Sequence, residues 1–584
     1  MENFQKGFIN FSKLLNKKQV ESALASFSKK EWLVFYGLVL VLFVSTLAIL
    51  QNINKSFMVN VPLGGGKITE GIVGTPRFIN PVLAFSDVDR DLISLIYSGL
   101  MRKDTDGALI PDLAASYQVS PDGLVYTFTL KDKIYFHDGE PVKATDILFT
   151  INKIKDPIIK SPRKGNWDGV SVEIVDEKNI KFTLRQAYGS FLENTTLGIM
   201  PSHLWSDSPI ELSERNTNPV GSGPYLISSA NKQSSGVIDS YELKAFKDFA
   251  LGKPYIKNLV LNFFPNEEDM ILALENDTVE QISSLTPENA LSLKEKGYTI
   301  ESSVLPRIFG LFFNQNQNQI FTDKNVVQAI NLAIDKDRIV REVLKGYGVV
   351  IDNPIPKNVI EYEKITDESK TSYQDKLTKA RELLTKDGWK LNEEGFLEKT
   401  KTSKDKKSTE YIEFSISTGN AIELAETANL IKKDLEAIGM KVDVKTFEIG
   451  NLNQSVIRPR KYDALLFGQI INNESDLYAF WHSSQRLDPG LNVAMYTNAK
   501  VDKILEEAFS ETDPLARIKK YSEFEEEIRK DMAAIFLYSP SFIYVVSKDL
   551  KGLSLNNITS LSDRFLGIYK WYRETSNVWK IFTQ

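Results

Sequence analysis

Cysteine is absent from all 584 residues. Disulfides and thiolate metal sites are therefore excluded, and no lipid-modified cysteine can serve as a tether. Histidine is scarce: His137, His203 and His482 are the only three, too few and too scattered for a dedicated transition-metal site. No cofactor is expected. Basic charge is not in excess either; the net charge of −6 argues against a nucleic-acid partner. No GxSxG, HExxH or GxxxxGK[ST] motif occurs, and Gly64-Gly65-Gly66-Lys67 lacks the spacing and preceding strand of a phosphate loop. His137 reads as part of a tight turn bent by Asp138-Gly139, and His203 follows a Pro-Ser turn. His482 lies beside Ser483 and Ser484, but catalytic pairs are assembled in space, not by adjacency. An enzyme is not expected.

One long apolar run stands out. Residues 33–50, LVFYGLVLVLFVSTLAIL, carry no charge. At about 1.5 Å per residue they span roughly 27 Å, close to the ~30 Å hydrocarbon core of a bilayer. Lys6, Lys13, Lys17, Lys18, Lys29 and Lys30 precede the run, whereas Lys55 and Lys67 are the only early basic residues after it. Positive charge stays in the cytoplasm, so the body is expected outside it. The favoured reading is an uncleaved signal-anchor over 32–50, making the protein a single-pass membrane protein; a cleaved signal peptide is the rival. Thr46-Leu47-Ala48 is a poor cleavage site, and the leader is long for a signal peptide. The segment 1–31 is then cytoplasmic. Its Phe4, Phe8, Phe11, Leu14, Leu15, Leu24 and Phe27 suit either an amphipathic helix on the inner leaflet or a poorly ordered tail. Residues 51–66 read as a short tether before a body over 67–584.

The body, 42% hydrophobic and 25% charged by the composition of the whole chain, has α/β patterning. VYTFTL (125–130) alternates like a strand after the Asp122-Gly123 turn, and VEIV (172–175) with IKFTL (180–184) reads as a hairpin. Helices are expected over 266–276, 326–334, 337–344, 376–389 and 423–439, with a strand at 441–447. The lysine-rich 399–409 is expected as a solvated hairpin tip.

Several segments then line up in order: GALIPDLAASY (107–117), SPDGLVYTFTLKDKIYFHDGEPVKATDILFT (120–150), NPVGSGPYLI (218–227), LLTKDGW (383–389) and NVAMYTNAKVD (492–502). In that order they resemble the extracytoplasmic solute-binding proteins of the peptide/nickel class, family 5, which feed ABC importers. The likeness runs from about Lys67 to the end of the chain. It implies a two-lobed periplasmic-binding-protein-like α/β fold with an extra subdomain. Lobe one would take about 67–97, 218–303 and 536–584, the subdomain about 98–217, and lobe two about 304–535. The resemblance further implies a monomer that captures oligopeptides in the interlobe crevice by hinge closure and delivers them to permease subunits. Residues 219–225 are expected in interlobe packing.

The same resemblance nominates the ligand contacts. Phe85, Ser86 and Asp87 follow Asn80-Pro81 in a loop that pairs its backbone with a bound peptide. Leu466, Phe467, Gly468 and Gln469 resemble the stretch that lies along the ligand as an added strand. Arg458 resembles a position that meets a carboxylate. Trp481 suits core packing as well as contact, and Phe467 is open between the two. Where peptide binders of the family place an aspartate for the ligand's α-amine, Asn472 and Asn473 stand here, and the usual proline is missing from Asp476-Leu477-Tyr478-Ala479-Phe480. Either Glu474 or Asp476 takes that role, or the ligand is no free-amine peptide, because a buried ammonium without a carboxylate is costly. Alternatives are therefore a non-peptide solute (chelated metal, sugar or signalling peptide) on the same fold, a surface hydrolase, or a chaperone-like surface protein.

Overall fold

The computed structural model describes residues 21–22, 25–205, 209–356, 372–403, 406–471, 476–511 and 513–582. The amphipathic pattern before residue 21, and Asn472, Asn473 and Glu474, lie outside them. Two compact units divide the chain: residues 1–63 with 574–584, and residues 64–573.

The first unit is built on the helix Lys29–Phe57. Ser28 caps it, its hydroxyl accepting from Glu31 N–H while the Glu31 carboxylate accepts from Ser28 N–H. None of its residues is buried, and it is the one helix among the described residues long and apolar enough to cross a membrane. Residues 51–66 differ from the expected tether. The helix continues through Phe57, and Met58–Pro62 follows at once as a strand. That strand pairs antiparallel with Thr575–Trp579, in a register that sets Met58 opposite Trp579 and Pro62 opposite Thr575. Residues 575–582, expected in lobe one, therefore belong with the N-terminal helix. The reason is backbone pairing: among the described residues Met58–Pro62 has no other strand to satisfy its N–H and C=O groups.

The second unit is organised by a twelve-stranded mixed sheet. One half holds Gly65–Val73, Tyr225–Lys232, Ile238–Ala245, Ile256–Phe264 and Gln281–Ser283; the other holds Arg307–Phe313, Glu413–Gly419, Lys441–Phe447 and Ala464–Ile470. The strand Ala534–Val546 joins them. Its first half pairs with Arg307–Phe313 and its second with Thr299–Val304 and Gln281–Ser283. The hydrophobic cores divide at the same place: Tyr538 packs in one and Phe542 in another. Pro306 and Pro540 sit at the two crossings, and Leu305 N–H donates to the Pro540 carbonyl. Proline has no N–H to add to a ladder, but the Pro540 carbonyl still accepts and Gly348–Val350 pairs with Tyr538–Pro540, so the strand runs on between the lobes.

The extra subdomain is a four-stranded antiparallel sheet in the order Ala114–Val119, Val125–Leu130, Asn179–Leu184, Val170–Ile174. Tyr126, Phe128 and Leu130 alternate inward, as do Ile180, Phe182 and Leu184. Helix Ala144–Lys155 covers that face with Ile147, Ile151 and Ile154. Each such side chain contributes about 1.5–3 kcal/mol by burial.

Lobe one contains an ionic cluster in its core. Arg564 is fully buried and donates to Glu70 at 2.8 Å and to both oxygens of Asp91 at 2.8 and 2.6 Å. Tyr544 donates its single hydroxyl proton to Glu70 at 2.8 Å. Gln281 lies 2.5 Å from the same hydroxyl and has a buried amide nitrogen with no other partner. Its NH₂ turned toward Tyr544 lets the hydroxyl donate to Glu70 and accept from Gln281. Burial pushes the two carboxyls up, and the guanidinium between them offsets this only in part, so both stay raised.

Candidate functional site

The candidate site starts from the loop 79–86 and the helix Asp87–Ile96. Asn80 is buried; its side-chain carbonyl accepts from Val82 N–H at 2.9 Å, and its NH₂ donates to Asn216 at 3.1 Å. Ser86 caps the helix by accepting from Asp89 N–H, and Asp89 in turn accepts from the amides of Arg77 and Phe78. These bonds hold Asp87 and Arg90 at the lip of a cavity. Arg90 pairs with Asp87 at 2.7 Å and donates to the Phe85 carbonyl at 2.9 Å.

The subdomain is brought to this loop by Ser161, whose hydroxyl donates to the Val82 carbonyl at 2.6 Å and accepts from Arg163 N–H. Arg163 is thereby set in the same cavity as Arg90. Lobe two contributes Arg307, the first residue of its strand, with Ile470 directly opposite in register. The cavity has a volume of about 1050 Å³, at the top of the ~300–1,000 Å³ usual for small-molecule sites. Tyr188 of the subdomain stacks on Phe509 of lobe two at 5.7 Å, closing one side.

Charge in this crevice is unevenly matched. Asp112 answers Arg102 at 3.0 Å, and Glu193 answers Lys103 at 3.2 Å. Arg163 and Arg307 have no carboxylate within ion-pair distance among the described residues. Burial lowers the pKa of both, and Arg90 lowers each further by like-charge repulsion, although Asp87 raises Arg307. The Arg307 Nε is buried without a partner among the described residues. Five arginines line the crevice, Arg90, Arg102, Arg163, Arg185 and Arg307, and with Arg90 and Arg102 paired, Arg163 and Arg307 can receive an anionic group through charge-assisted bonds.

The expected contacts separate into groups. Asp87 and Asp476 line the cavity, Phe85 is exposed beside it, and Ser86 serves as the helix cap. The Leu466 side chain lies in the lobe-two core, and Trp481 is fully buried against Phe312, Phe524 and Phe536. Phe467 is half-buried against that same interior, and Gly468 lies under the Phe309 ring. Gln469 is buried with both amide atoms unpartnered among the described residues. Arg458 is exposed, 3.7 Å from Asp488, and is not among the residues lining the cavity. The strand Ala464–Ile470 does have an open edge. Glu413–Gly419 pairs with it only at Ala464 and Leu465, and Thr418 donates to the Leu466 carbonyl. Among the described residues no strand pairs with that edge beyond this point. Arg90, Arg163 and Arg307 were not foreseen; each is an isolated arginine, and only the fold brings them together.

The histidines hold structure. His137 Nε2–H donates to the Gly223 carbonyl at 3.0 Å, its Nδ1 accepts from Gly221 N–H, and its own N–H donates to the Gly221 carbonyl. Burial pushes the His137 pKa down to about 4. The loop 219–225 is thus tied to the subdomain and to the end of helix Asp87–Ile96. A side chain at Gly221 or Gly223 would meet Ile96 backbone at 2.0 or 2.6 Å. His482 stacks on Tyr478 and bonds Ser484, while Ser483 bonds Asp502.

Known proteins agree with this architecture. The oligopeptide-binding protein AppA of Bacillus subtilis (strain 168) is 27% identical over 547 residues, covering 92% of this chain and 97% of its own. The structure of AppA from Bacillus subtilis in complex with a nonapeptide matches 88% of this chain and all of its own with a TM-score of 0.65. The structure of NikZ from Campylobacter jejuni in complex with Ni(L-His) is 27% identical, with a TM-score of 0.66 over 87% of this chain and 99% of its own. The model of the bacterial extracellular solute-binding proteins, family 5, matches residues 108–488, and the chain belongs to that family.

Proposed function

We propose that this chain is a membrane-anchored, monomeric receptor that captures oligopeptides in the crevice and delivers them to the permease of an ABC importer. The observation that carries the reading is the crevice of about 1050 Å³ shared by both lobes and the subdomain, in which Arg163 and Arg307 have no carboxylate partner among the described residues. A peptide carboxylate supplies the anion those arginines lack. The open edge beyond Leu466 offers main-chain groups, and backbone pairing tolerates any side chain. Phe85, Ser86, Asp87 and Gln469 remain the nominated contacts, and Asp476 is the described carboxylate nearest in sequence to the place of the missing aspartate. The similarity to the oligopeptide-binding protein AppA supports the substrate class. The anchor is the helix Lys29–Phe57, which presents an apolar surface all round.

The arginines also favour a second reading, in which the solute is a carboxylate-bearing metal chelate; NikZ was solved with Ni(L-His). Native mass spectrometry of the copurified solute separates the two. Thermal-shift and calorimetric screens against peptide pools should raise the melting temperature. A crevice that stays empty against broad peptide and metabolite libraries refutes both. Intact-mass analysis of membrane-extracted protein tests the anchor: a mature chain beginning after Ala48 and free in solution refutes it.

A further inference from the structure

The end of the chain is placed beside the outer end of the apolar helix. Helix Lys29–Phe57 runs without a break into Met58, and Met58 is the register partner of Trp579. Directly opposed residues in an antiparallel pair have Cα atoms about 4.5–5.5 Å apart. Trp579 is therefore fixed next to the first residue after the helix. Lys580–Phe582 continues from it as a single 3₁₀ turn.

The heights agree with a lipid contact. Seven residues, Gln51 to Phe57, separate the apolar run from Met58, about 10 Å of helix. The headgroup layer on each side of the hydrocarbon core is about 5–8 Å thick. The ribbon thus begins at the top of that layer. Its antiparallel strand returns toward the helix end, and the turn after Trp579 adds about 2 Å per residue.

The side chains match that environment. Phe57 is 59% exposed, Trp579 46% and Ile581 70%. Large apolar groups are thus left in the open where strand Thr575–Trp579 ends, while its earlier residues Thr575, Ser576 and Asn577 are polar. Tryptophan is enriched at the headgroup level, where an amphipathic ring keeps one end apolar and one end wet.

We propose that residues 579–582 are a second membrane contact, seated in the headgroup layer beside the helix and held there by the two-stranded ribbon. This rests on the anchor reading above. The occupant is lipid. The helix and the ribbon then meet the bilayer at two points held together by the pairing of Met58–Pro62 with Thr575–Trp579.

The cysteine-free chain makes the test direct. Single cysteines are placed in the full chain at Leu42 (L42C), Ile581 (I581C) and Thr575 (T575C). Each is labelled with an environment-sensitive nitrobenzoxadiazole dye and reconstituted in phosphatidylcholine–phosphatidylglycerol vesicles carrying doxyl-quencher lipids. Thr575 lies four residues up the strand from Trp579, about 13 Å farther out. The label at Ile581 should be quenched at least twofold more than at Thr575 by a shallow quencher, and Trp579→Ser should remove at least half of that difference. Deep quenching at Leu42 reports the anchor independently. An unquenched Leu42 label refutes the anchor and the inference with it. A quenched Leu42 label with Ile581 no more quenched than Thr575 overturns the inference alone.

Discussion

Replacing Arg564 by methionine tests the buried ionic cluster of lobe one. The change removes a cation from between Glu70 and Asp91, which are 0% and 3% exposed. Asp91 then loses the bidentate partner of both its oxygens, while Glu70 keeps the Tyr544 hydroxyl. A carboxylate left alone in the core takes up a proton instead of staying charged. Doing so at pH 7, from an ordinary value near 4, costs about 4 kcal/mol for one proton. That agrees with the ~3–5 kcal/mol typical of breaking a buried pair from one side. The sign with pH follows. In the variant the folded-state pKa of the carboxyl is raised above its unfolded value. The penalty is therefore absent well below pH 4 and grows as pH rises, by about 1.4 kcal/mol per unit. Urea unfolding of the full chain in detergent micelles, followed by circular dichroism, should show a loss of about 4 kcal/mol at pH 7, shrinking by roughly 2–3 kcal/mol at pH 5. The triple variant Glu70→Gln, Asp91→Asn, Arg564→Met should recover most of it. A loss under about 1 kcal/mol at pH 7, or an equal loss at both pH values, refutes the reasoning.

Arg163→Glu and Arg307→Ala should each weaken binding of the copurified solute by about 10- to 150-fold, the worth of one charge-assisted bond, with melting temperatures of the empty protein little changed; calorimetry reads the difference. His137 is held near pKa 4 against an ordinary 6.5. Its neutral form stabilises the fold fully above pH 6.5, and up to about 3 kcal/mol is lost as pH falls toward 4. His137→Asn should therefore flatten the melting-temperature profile between pH 7 and 4.5. Gly223→Ala places a methyl 2.6 Å from the Ile96 carbonyl carbon. It should cost about 1–3 kcal/mol in a urea titration, with no change if that loop gives way freely.

Local pattern carried most of the architecture into the sequence reading. The strands 125–130 and 180–184 alternate because one face packs against helix Ala144–Lys155, so a period of two is written into their residues. Helix Glu267–Glu275 was harder, because Met270, Leu272 and Leu274 are evenly spaced; the fold buries Met270, Ala273 and Leu274 and leaves Leu272 exposed. The lysine-rich 399–409 was legible as a hairpin, and strands Leu397–Ser403 and Lys406–Tyr411 pair there. The ribbon was not legible. MVNVP and TSNVW are five residues each and become strands only by meeting one another. In the crevice, Asp87 and Asp476 were nominated by family resemblance. Arg163 and Arg307 had no such mark, because nothing in their neighbourhoods distinguishes them from surface arginines until Ser161 and the register with Ile470 place them.

The pairing of Met58–Pro62 with Thr575–Trp579 also has a meaning in time. Residue 575 is made 513 residues after residue 62 (575 − 62). At about 5–20 residues per second, synthesis leaves the first strand without its mate for roughly 25–100 s. Until then the segment leading out of the helix has an open edge. The ribbon is a clasp that shuts when strand Thr575–Trp579 has been made. A chain interrupted before residue 575 lacks the second strand of the ribbon, and the edge of Met58–Pro62 that Thr575–Trp579 would pair stays open.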